Sequence, residues 1–595
     1  MTARVEIGER GIARAGLTIG FLLAGLLAMH WPMLSSGFAR VQFDEGDTRI
    51  NLYALEHGYR WISGQRHHER LWSPPVYYPL EWTAPCTETL VGVGPAFWVW
   101  RAMGAAPDTA YQLWLLSVSA LNFLLALTWL RRGRRLPLLA SLVGSWLIAF
   151  AASRAAQLNH PQLLAACYPL LALLLIDLLP RSRRKSLLLL ALGGTVVGQL
   201  YAGTYVFLFA GLLGLAGLSI LALDPVGRSR LREVLGGQKA ALALVLVLAA
   251  AAALPWLHAS WRASALKGYP SPWEVGQMIP RLASWLSPNP DNVVYGGLAT
   301  SRPFAGLPMA HEHHLFLGLV TTVVGVGGLL LTRSQMSSRA LGGAAAALIL
   351  LTTALPTPES GTAAWITDAA IPVGLASLTW IGCTWDRRGG ASRVAAVCLA
   401  AWLLNFGLTG GLSLWTSFCD LAPPLRAIRA VSRVGMLLAI PLGLGVAIVL
   451  ARLRRGAPGI ALGIGLGLLC MAEQVTRTQS FDKQAHRDRI ARIAAEVPPD
   501  ADVFYYSPLE PERGRWLDQL DAMFVHLQLR MPTINGNLNV VPWEWAPLAI
   551  PDLQSAEDAP GIEAGLARWR ELHPEFSELE VRWVRVSWRD GGSSS

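Results

Sequence analysis

The sequence predicts a polytopic α-helical membrane protein of about 13 transmembrane helices with a small C-terminal α/β domain. Of its 595 residues, 53% are hydrophobic and only 15% are charged, and the mean hydropathy is +0.38. One soluble core of ordinary size does not bury that much apolar surface. Apolar runs of spanning length recur up to residue 475, and the composition then turns polar. We therefore expect a transmembrane domain over 1–475 and an α/β domain over 476–595.

The positions of the spans follow from length, because a helix needs about 20 apolar residues to cross the hydrocarbon layer. Apolar runs bounded by charge, proline or glycine occur at 14–33, 109–130, 136–153, 161–179, 186–202, 204–223, 240–258, 314–332, 340–355, 363–383, 394–412, 433–451 and 458–474. The first run follows Arg4, Arg10 and Arg14 without a convincing cleavage site. This pattern predicts a retained signal anchor.

The basic residues predict the orientation of the spans. Lys and Arg cluster in the connections 131–135, 180–185, 224–239, 333–339, 384–393 and 452–457. Basic connections stay inside, so the N-terminus is expected in the cytoplasm and the C-terminal domain in the periplasm. This alternation requires the apolar run 87–103 to lie on or dip into the membrane without crossing it. The Ala-, Leu- and Arg-rich composition is typical of a GC-rich bacterial genome, so we expect a multi-pass protein of the bacterial inner membrane.

Charge and cysteine content limit the other functions open to the chain. The net charge of +10 does not indicate a nucleic-acid partner, because the basic residues form short clusters between apolar runs. The six cysteines show neither a CxxC pair nor zinc-ligand spacing. Cys86 and Cys419 both fall in outer loops, where they either form a disulfide or remain as two thiols.

Two outer connections, 34–108 and 259–313, are much longer than the rest and combine Trp, Tyr, Pro and Arg. Long loops of this kind form structured surfaces and carry function, so we expect a site between them. In the tail, the patterns predict strands at 502–507, 531–534 and 579–588 and a helix at 517–528.

The acidic cluster Asp44-Glu45-Gly46-Asp47 lies in the first of these loops, directly after the first span. Carboxylates this close repel one another, which raises the affinity of at least one for a proton or a cation. Such a carboxylate can act as a general base. Alternatively, Asp47 caps a helix beginning near Thr48 while Asp44 and Glu45 are merely solvated. We expect catalysis here, with Asp44, Glu45 and Asp47 as candidates.

Several arginines are candidates for binding substrate. Arg426, Arg429 and Arg433 recur at three and four residues before a late span, which predicts that they share one helical face. Guanidinium groups suit phosphate oxygens, so a lipid phosphate is the expected partner, with ordinary headgroup contact as the alternative. Arg49, next to the acidic cluster, is a further candidate.

Three more candidates are expected to approach this site from other outer segments. Glu312, within His311-Glu312-His313-His314, is a candidate second carboxylate, and the spacing of these histidines is not that of a HExxH metal site. Asn159 and His160 either bind an acceptor sugar or shape the turn before Pro161. No metal ligand is assigned.

This arrangement resembles the GT-C superfamily of integral-membrane glycosyltransferases. The resemblance lies in the acidic motif of the first outer loop, the juxtamembrane segments of that loop and the outward C-terminal domain. The span plan is similar to that of the oligosaccharyltransferase branch. The resemblance covers the whole chain in plan, and the short acidic cluster is its one local motif. It implies a polyprenyl-phosphate-sugar donor and Asp44 as the catalytic carboxylate, with Glu45 and Asp47 as alternatives.

The chain departs from that branch in two places. The segment 153–162 has no carboxylate where metal-using members carry a second acidic motif, so dependence on Mg²⁺ or Mn²⁺ stays open and no cofactor is assigned. The tail lacks a WWDYG-type peptide-recognition motif, the nearest string being Trp543-Glu544-Trp545. Protein N-glycosylation is therefore not carried over, and a glycan, a lipid or a protein is the expected acceptor.

The expected reaction is glycosyl transfer with inversion. Asp44 would take the proton of an acceptor hydroxyl as its oxygen attacks the anomeric carbon, while an arginine stabilises the departing lipid phosphate. The alternatives are a transporter or flippase of a lipid-linked saccharide and a non-catalytic envelope scaffold. Transport is less favoured because Asp177, Asp368 and Glu473 lie near the ends of predicted spans, whereas coupled transporters place ionisable groups near mid-membrane.

Overall fold

The computed structural model describes residues 2–332, 336–354, 413–454, 456–509, 513–545, 548 and 559–588 and is mostly helical. Before residue 475 its elements are α1 (Thr2–Met29), α2 (Trp31–Ser35), β1 (Arg40–Gln42), α3 (Asp47–Ile62), α4 (Gly94–Ala102), α5 (Pro107–Thr128), α6 (Leu138–Ala149), α7 (Ala152–Ala155), α8 (Cys167–Leu178), α9 (Lys185–Ala202), α10 (Thr204–Leu223), α11 (Pro225–Leu235), α12 (Lys239–Lys267), α13 (Pro272–Gln277), α14 (Leu319–Leu331), α15 (Met336–Thr352), α16 (Leu414–Leu421), α17 (Gly435–Leu453) and α18 (Gly456–Ala472). The tail adds β2 (Ser480–Asp482), α19 (Lys483–Ala495), β3 (Val503–Pro508), α20 (Arg515–Leu529), α21 (Ala559–Leu572) and β4 (Val581–Val586).

Within the described ranges, eight helical stretches are long and apolar enough to cross a membrane. They are Ile12–Met29, Pro107–Gly133, Leu138–Ala155, Pro161–Arg181, Lys185–Ala202, Thr204–Leu223, Lys239–Lys267 and Val431–Leu453. Each coincides with a predicted span. Three more predicted spans coincide with the shorter apolar helices Leu319–Leu331, Ala340–Ile349 and Gly456–Ala472. The last two, 363–383 and 394–412, lie outside the described residues together with Asp368. The predicted helical membrane architecture is confirmed, and the total of thirteen spans stays a prediction.

The helix α14 begins later than its hydropathy predicts, because a distant carboxylate caps it. Glu473 accepts hydrogen bonds from the backbone N–H groups of Val320 and Thr321, each at 2.8 Å, and from the Thr321 hydroxyl. Gly318 precedes the helix with φ +91° and contacts the same carboxylate. Only glycine adopts this backbone conformation readily, so the chain turns at Gly318 and the helix starts at Leu319.

The helices α14 and α17 pack backbone to backbone through small residues. Gly325 and Gly328 on α14 face Leu442 and Gly445 on α17, and a Cβ atom on Gly328 or Gly445 would overlap the opposing backbone. In a membrane, where lipid tails are as apolar as leucine, such close packing is a main source of helix association.

The run 87–103 contains one short helix. The helix α4 spans nine residues, fewer than the roughly 20 that a membrane crossing requires. It packs beside α3, because Glu56 of α3 binds both Arg60 at 2.9 Å and Arg101 of α4 at 2.7 Å. This agrees with the expectation that the run does not cross the membrane.

The tail is joined to the first outer loop by backbone pairing. The strand β2 pairs antiparallel with β1, so that Val41 lies opposite Phe481. Further along, β3 and β4 pair in parallel, close to the predicted strands 502–507 and 579–588, and α20 covers the predicted helix 517–528. The predicted strand 531–534 is reduced to a single bridge between Thr533 and Phe504.

A buried histidine cluster, formed by His57, His68 and His526, reinforces this junction. The Nδ1 atoms of His57 and His68 are 2.8 Å apart, and the rings of His68 and His526 are 5.1 Å apart. His57 and His526 each also contact a backbone carbonyl, of Leu71 and Met531. Burial lowers the pKa of His57 to about 4 and that of His526 to about 3, and it also lowers the pKa of His68. The three rings are therefore neutral at pH 7.

Candidate active site

The acidic cluster lies at the N-terminal end of α3. The N-cap residue is Gly46, which has no side chain to cap with, and Asp47 is the first residue of the helix. Asp47 therefore does not cap a helix beginning at Thr48, as the structural alternative supposed. Asp44 accepts a hydrogen bond from the backbone N–H of Gly46 at 2.6 Å. The positive end of the helix dipole favours carboxylates at this position.

The three carboxylates of the cluster point to different partners. Glu45 binds Arg513 of the tail at 2.7 Å, whereas Asp47 binds Nε2 of His160 at 2.8 Å. Asp44 is half-buried and forms no ion pair with any described residue. Burial raises the pKa of Asp44, and the negative charge of Asp47 adds to the rise against the hydrogen bond from Gly46. The raised pKa means that Asp44 binds a proton more readily than an ordinary aspartate does.

Asp47 has the opposite electrostatic character. Burial alone would raise the pKa of Asp47, but the hydrogen bond and charge of His160, with the charges of Arg433 and Arg429, lower it overall. Two carboxylates three positions apart therefore differ in proton affinity. Asp44 holds a proton more readily than an ordinary aspartate does, and Asp47 holds one less readily.

Glu312 and Arg433 form a buried, two-pronged ion pair next to this cluster. Nη2 of Arg433 lies 2.6 Å from Oε1 of Glu312, and its Nε lies 3.2 Å from Oε2. The guanidinium also stacks on the Tyr205 ring, 4.8 Å from its centroid. Burial would raise the pKa of Glu312, but the charges of Arg433 and His160 lower it to about 2. Glu312 therefore reaches the site from the second long loop as an ionised partner of Arg433.

The three arginines predicted to share one helical face do not do so. The segment forms two short 3₁₀ turns, Pro423–Ala427 and Val431–Val434, and Ile428 between them is extended. Paired prolines at its start and the extended residue exclude a continuous α-helix. Arg433 is buried in the site, Arg429 is half-exposed and binds Glu274 at 3.2 Å, and Arg426 is exposed and binds Asp420 at 2.8 Å.

Arg49 lies on the side of the acidic cluster that faces the tail, and it holds the tail. Its buried guanidinium binds Asp521 of α20 at 2.6 Å. Asp521 also binds Arg489 at 2.8 Å and Arg513, the residue that holds Glu45. On the same side, the Trp516 ring packs against Gly46. The tail thus covers one flank of the acidic cluster, and a role of Arg49 in binding substrate stays a prediction.

Glu88 and Lys267 belong to the same region and were not among the predicted residues. Glu88 accepts hydrogen bonds from the backbone N–H and hydroxyl of Thr204, at 2.9 and 3.1 Å, where α10 begins. Burial raises the pKa of Glu88, while the hydrogen bonds from Thr204 and, to a smaller extent, the charges of Lys267 and Arg433 oppose the rise. Glu88 is the sole acidic residue between Glu81 and Asp108. A lone carboxylate in an apolar run is a signal that could have identified it.

The carboxylates of the site do not suit a divalent cation as they stand. Arg513, His160 and Arg433 already neutralise Glu45, Asp47 and Glu312. Of the neighbouring histidines, His313 binds Ser284 at 2.7 Å and His314 binds Ser287 at 3.3 Å. In the described part of the chain, no group of three or more His, Cys, Asp or Glu side chains could hold a metal ion. The two outer-loop cysteines, Cys86 and Cys419, are free thiols.

Comparison with known proteins finds similarity at the level of structure. No family model matches the chain, and no curated protein matches it. ArnT from Cupriavidus metallidurans, in its apo state, is similar with a TM-score of 0.40 and 13% identity, over 88% of this chain and 86% of that one. The archaeal oligosaccharyltransferase AglB from Archaeoglobus fulgidus, in complex with an inhibitory peptide and a dolichol-phosphate, is similar with a TM-score of 0.44 and 12% identity. The match covers 97% of this chain and 69% of that one. The Archaeoglobus fulgidus oligosaccharyltransferase in complex with Zn and sulfate is similar with a TM-score of 0.45 and 13% identity, over 93% of this chain and 66% of that one.

At these identities and TM-scores the likeness assigns this chain neither an activity nor a residue role.

Proposed function

We propose that this protein is a membrane glycosyltransferase that moves a sugar from a polyprenyl-phosphate donor to a hydroxyl of an envelope glycan, lipid or protein. The observation that carries the proposal is the state of Asp44. It is the one carboxylate of the cluster that no described cation neutralises, and burial raises its pKa. A general base needs both properties, a free lone pair and an affinity for the proton that it accepts.

The site is assembled from the ends of several membrane-spanning stretches, which favours a substrate carried by the lipid layer. His160 directly precedes the stretch Pro161–Arg181, Arg433 lies at the start of Val431–Leu453, and Lys267 ends Lys239–Lys267. Such ends lie at the level of the headgroups, where the phosphate of a membrane lipid also lies. A lipid-borne donor therefore reaches these residues without leaving the membrane.

The opposite ends of the same helices carry the basic connections. Arg181 donates to the backbone carbonyl of Gly133 at 2.9 Å, and Lys185 donates to that of Glu233 at 3.2 Å, so three basic connections meet. Basic connections stay in the cytoplasm. The acidic cluster then opens on the periplasmic face of a bacterial inner membrane.

In the proposed reaction, the acceptor oxygen attacks the anomeric carbon opposite the donor phosphate. Its proton passes to Asp44, the new C–O bond forms, and the old C–O bond breaks with its electron pair on the phosphate oxygen. Lys267 and Arg429 are the cations that we expect to stabilise that phosphate. Lys267 forms no ion pair with any described residue, and the pair of Arg429 with Glu274 is longer and more exposed than the buried pair of Arg433 with Glu312. Attack from the opposite face inverts the anomeric centre.

The test is transfer from polyprenyl-phosphate sugars by the purified protein in lipid nanodiscs. Asp44→Asn keeps the shape of the side chain and removes the base, so we expect kcat to fall by about 10²–10⁴. Asp488→Asn is the matched control, because this exposed tail carboxylate contacts Gln484 and no site residue. Full activity of Asp44→Asn would remove Asp44 from the mechanism. Absence of transfer from every donor tested would refute the proposal.

Transport of a lipid-linked saccharide finds less support in the described residues. Asp177 binds Arg134 at 2.9 Å and the indole N–H of Trp129 at the basic end of its helix. Glu473 caps α14. Both carboxylates have structural partners, so neither is placed to carry a coupling ion.

A further inference from the structure

Trp516 presents an open aromatic ring beside the acidic cluster. The residue lies in the first turn of α20 and is 41% exposed. Among the described residues, none accepts a hydrogen bond from its indole N–H, and no second ring stacks on it. Buried tryptophans usually find a partner for this N–H, so the open ring and its unused donor are both free to contact a ligand.

Two glycines hold this ring in place. A Cβ atom on Gly514 would lie 2.6 Å from Nε1 of Trp516, and a Cβ atom on Gly46 would lie 2.5 Å from Cζ3 at the other end of the indole. Both distances are too short for any residue other than glycine. The indole therefore bridges the segment before α20 and the start of α3 while its surface stays open. A ring that is exposed and yet fixed is preorganised for binding.

The ring and the Asp44 carboxylate border the same space. The added Cβ atom on Gly46 would also lie 2.9 Å from Oδ1 of Asp44. A hydroxyl group that gives its proton to Asp44 must lie within hydrogen-bond reach of that carboxylate. The molecule that carries this hydroxyl group is then close enough to rest against Trp516.

The acidic cluster has two flanks of different character. On the side of the membrane-spanning stretches, His160 contacts Asp47, and the donor phosphate is expected among the cations there. In an attack opposite the leaving phosphate, the acceptor approaches from the other side, which the tail covers. There Arg513 is already bound by Glu45 and Asp521. The tail flank therefore offers an acceptor an apolar ring and a neutralised guanidinium group.

We propose that Trp516 is the platform on which the acceptor rests, and that this acceptor is a saccharide bound through the C–H face of a pyranose ring. This proposal rests on the proposed glycosyl transfer and names its acceptor class. The face of an aromatic ring is negative, and the C–H groups of a pyranose form an apolar, slightly positive surface that suits it. The hydroxyl groups at the edge of the same sugar remain free, and one of them can donate to Asp44.

Binding of sugars alone tests the platform without any transfer. The probes are the methyl β-glycosides of glucose, galactose, mannose and N-acetylglucosamine, added to the full protein in nanodiscs and followed by saturation-transfer NMR. We expect the parent to bind at least one of them. Trp516→Leu keeps an apolar side chain without the aromatic face, so binding should weaken by about tenfold, whereas Trp516→Phe should stay within about threefold of the parent. Trp543→Leu, at an exposed tryptophan of the same tail, is the matched control and should bind as the parent does.

Gly514→Ala tests the position of the ring separately. Gly514 has φ −54° and ψ 130°, which alanine adopts without strain, so the backbone is kept while the added methyl group displaces the indole. We expect this variant to bind the glycoside about as weakly as Trp516→Leu does. Gly561→Ala, whose added Cβ atom meets nothing, is the control.

The outcomes separate this proposal from the proposed function. With the bound glycoside as acceptor, its KM should rise by about tenfold in Trp516→Leu while kcat stays within about threefold of the parent. A ring that only holds the tail would change kcat and leave glycoside binding unaltered, which overturns the proposal while glycosyl transfer stands. A parent that binds none of the four probes at millimolar concentration also overturns it. Binding by the parent that Trp516→Leu loses, without transfer from any donor, would refute the proposed function and support the platform.

Discussion

Asp521 is the buried hub that holds the tail against α3, and its removal is expected to open that junction. Asp521 and its partner Arg49 are 0% exposed, and the carboxylate also binds Arg489 and Arg513. These three arginines lower its pKa to about 2 against the effect of burial. Asp521→Asn would leave three guanidinium groups around a neutral amide. Breaking a buried ion pair from one side costs about 3–5 kcal/mol.

The cost depends on which partner is removed. Arg49→Met leaves Asp521 with Arg489 and Arg513, so the main loss across the junction is one charged hydrogen bond, about 1.5 kcal/mol. Of the two other bonds that the guanidinium donates, the one to the Glu45 carbonyl is local, and the one across the junction to the Leu517 carbonyl is long, at 3.4 Å. At about 1.4 kcal/mol per factor of ten, the open population grows about 10-fold in Arg49→Met and at least about 100-fold in Asp521→Asn.

Native-state proteolysis of the tail measures this population, because cleavage follows the open form when reclosing is fast. We expect the tail to be cleaved fastest in Asp521→Asn, more slowly in Arg49→Met and slowest in the parent. The matched control is Asp500→Asn, which removes the same group from the exposed pair that Asp500 forms with Arg582; its cleavage rate should equal that of the parent. Equal rates for Asp521→Asn and Asp500→Asn would refute the idea that this hub holds the junction.

Three further outcomes are expected. Glu312→Ala leaves Arg433 buried without its carboxylate, so thermal unfolding should show a loss of about 3–5 kcal/mol; an unchanged unfolding midpoint would show that the pair does not stabilise the fold. Gly445→Leu places a side chain against the backbone of α14, and size-exclusion chromatography should show loss of the monodisperse protein, whereas Gly465→Leu, whose added Cβ meets nothing, should elute as the parent does. Acid should destabilise the buried histidine cluster, because the pKa values of its histidines lie below the ordinary 6.5. Their contribution to the free energy of unfolding is complete above pH 6.5 and decreases as the pH drops towards 4, by about 2 kcal/mol per histidine at pH 5. The midpoint of His526→Gln should depend less on pH over this range, and an equal dependence would contradict the assignment.

The membrane architecture could be predicted from the sequence because hydropathy is a local property. A long apolar run is stable as a helix within the membrane, and eight predicted spans coincide with helices of the required length. The start of α14 could not be predicted in this way. Its cap is Glu473, more than 150 positions away, and hydropathy carries no information about such a contact.

The candidate site was predicted in part for the same reason. The acidic cluster is contiguous in sequence, so Asp44 and its neighbours could be found from spacing. The partners of these residues come from elsewhere in the chain. His160 was among the predicted residues, but its contact with Asp47 was not predicted, and neither was Arg513 of the tail. Arginine periodicity was misleading at 426–433, because the prolines before it exclude the helix that would have aligned the side chains.

The pairing of β1 with β2 has a consequence for the unity of the molecule. It fastens the segment leaving the first membrane helix to the segment leaving the last one, across some 440 positions of chain. These two distant segments of the polypeptide are thereby held together on the side of the molecule that carries the outer loops. A shortened version ending before Ser480 would lose the strand beside Val41 and the counter-ions of Glu45 and Arg49 together. The acidic cluster and the tail are for this reason one inseparable unit, and neither half is expected to work when expressed alone.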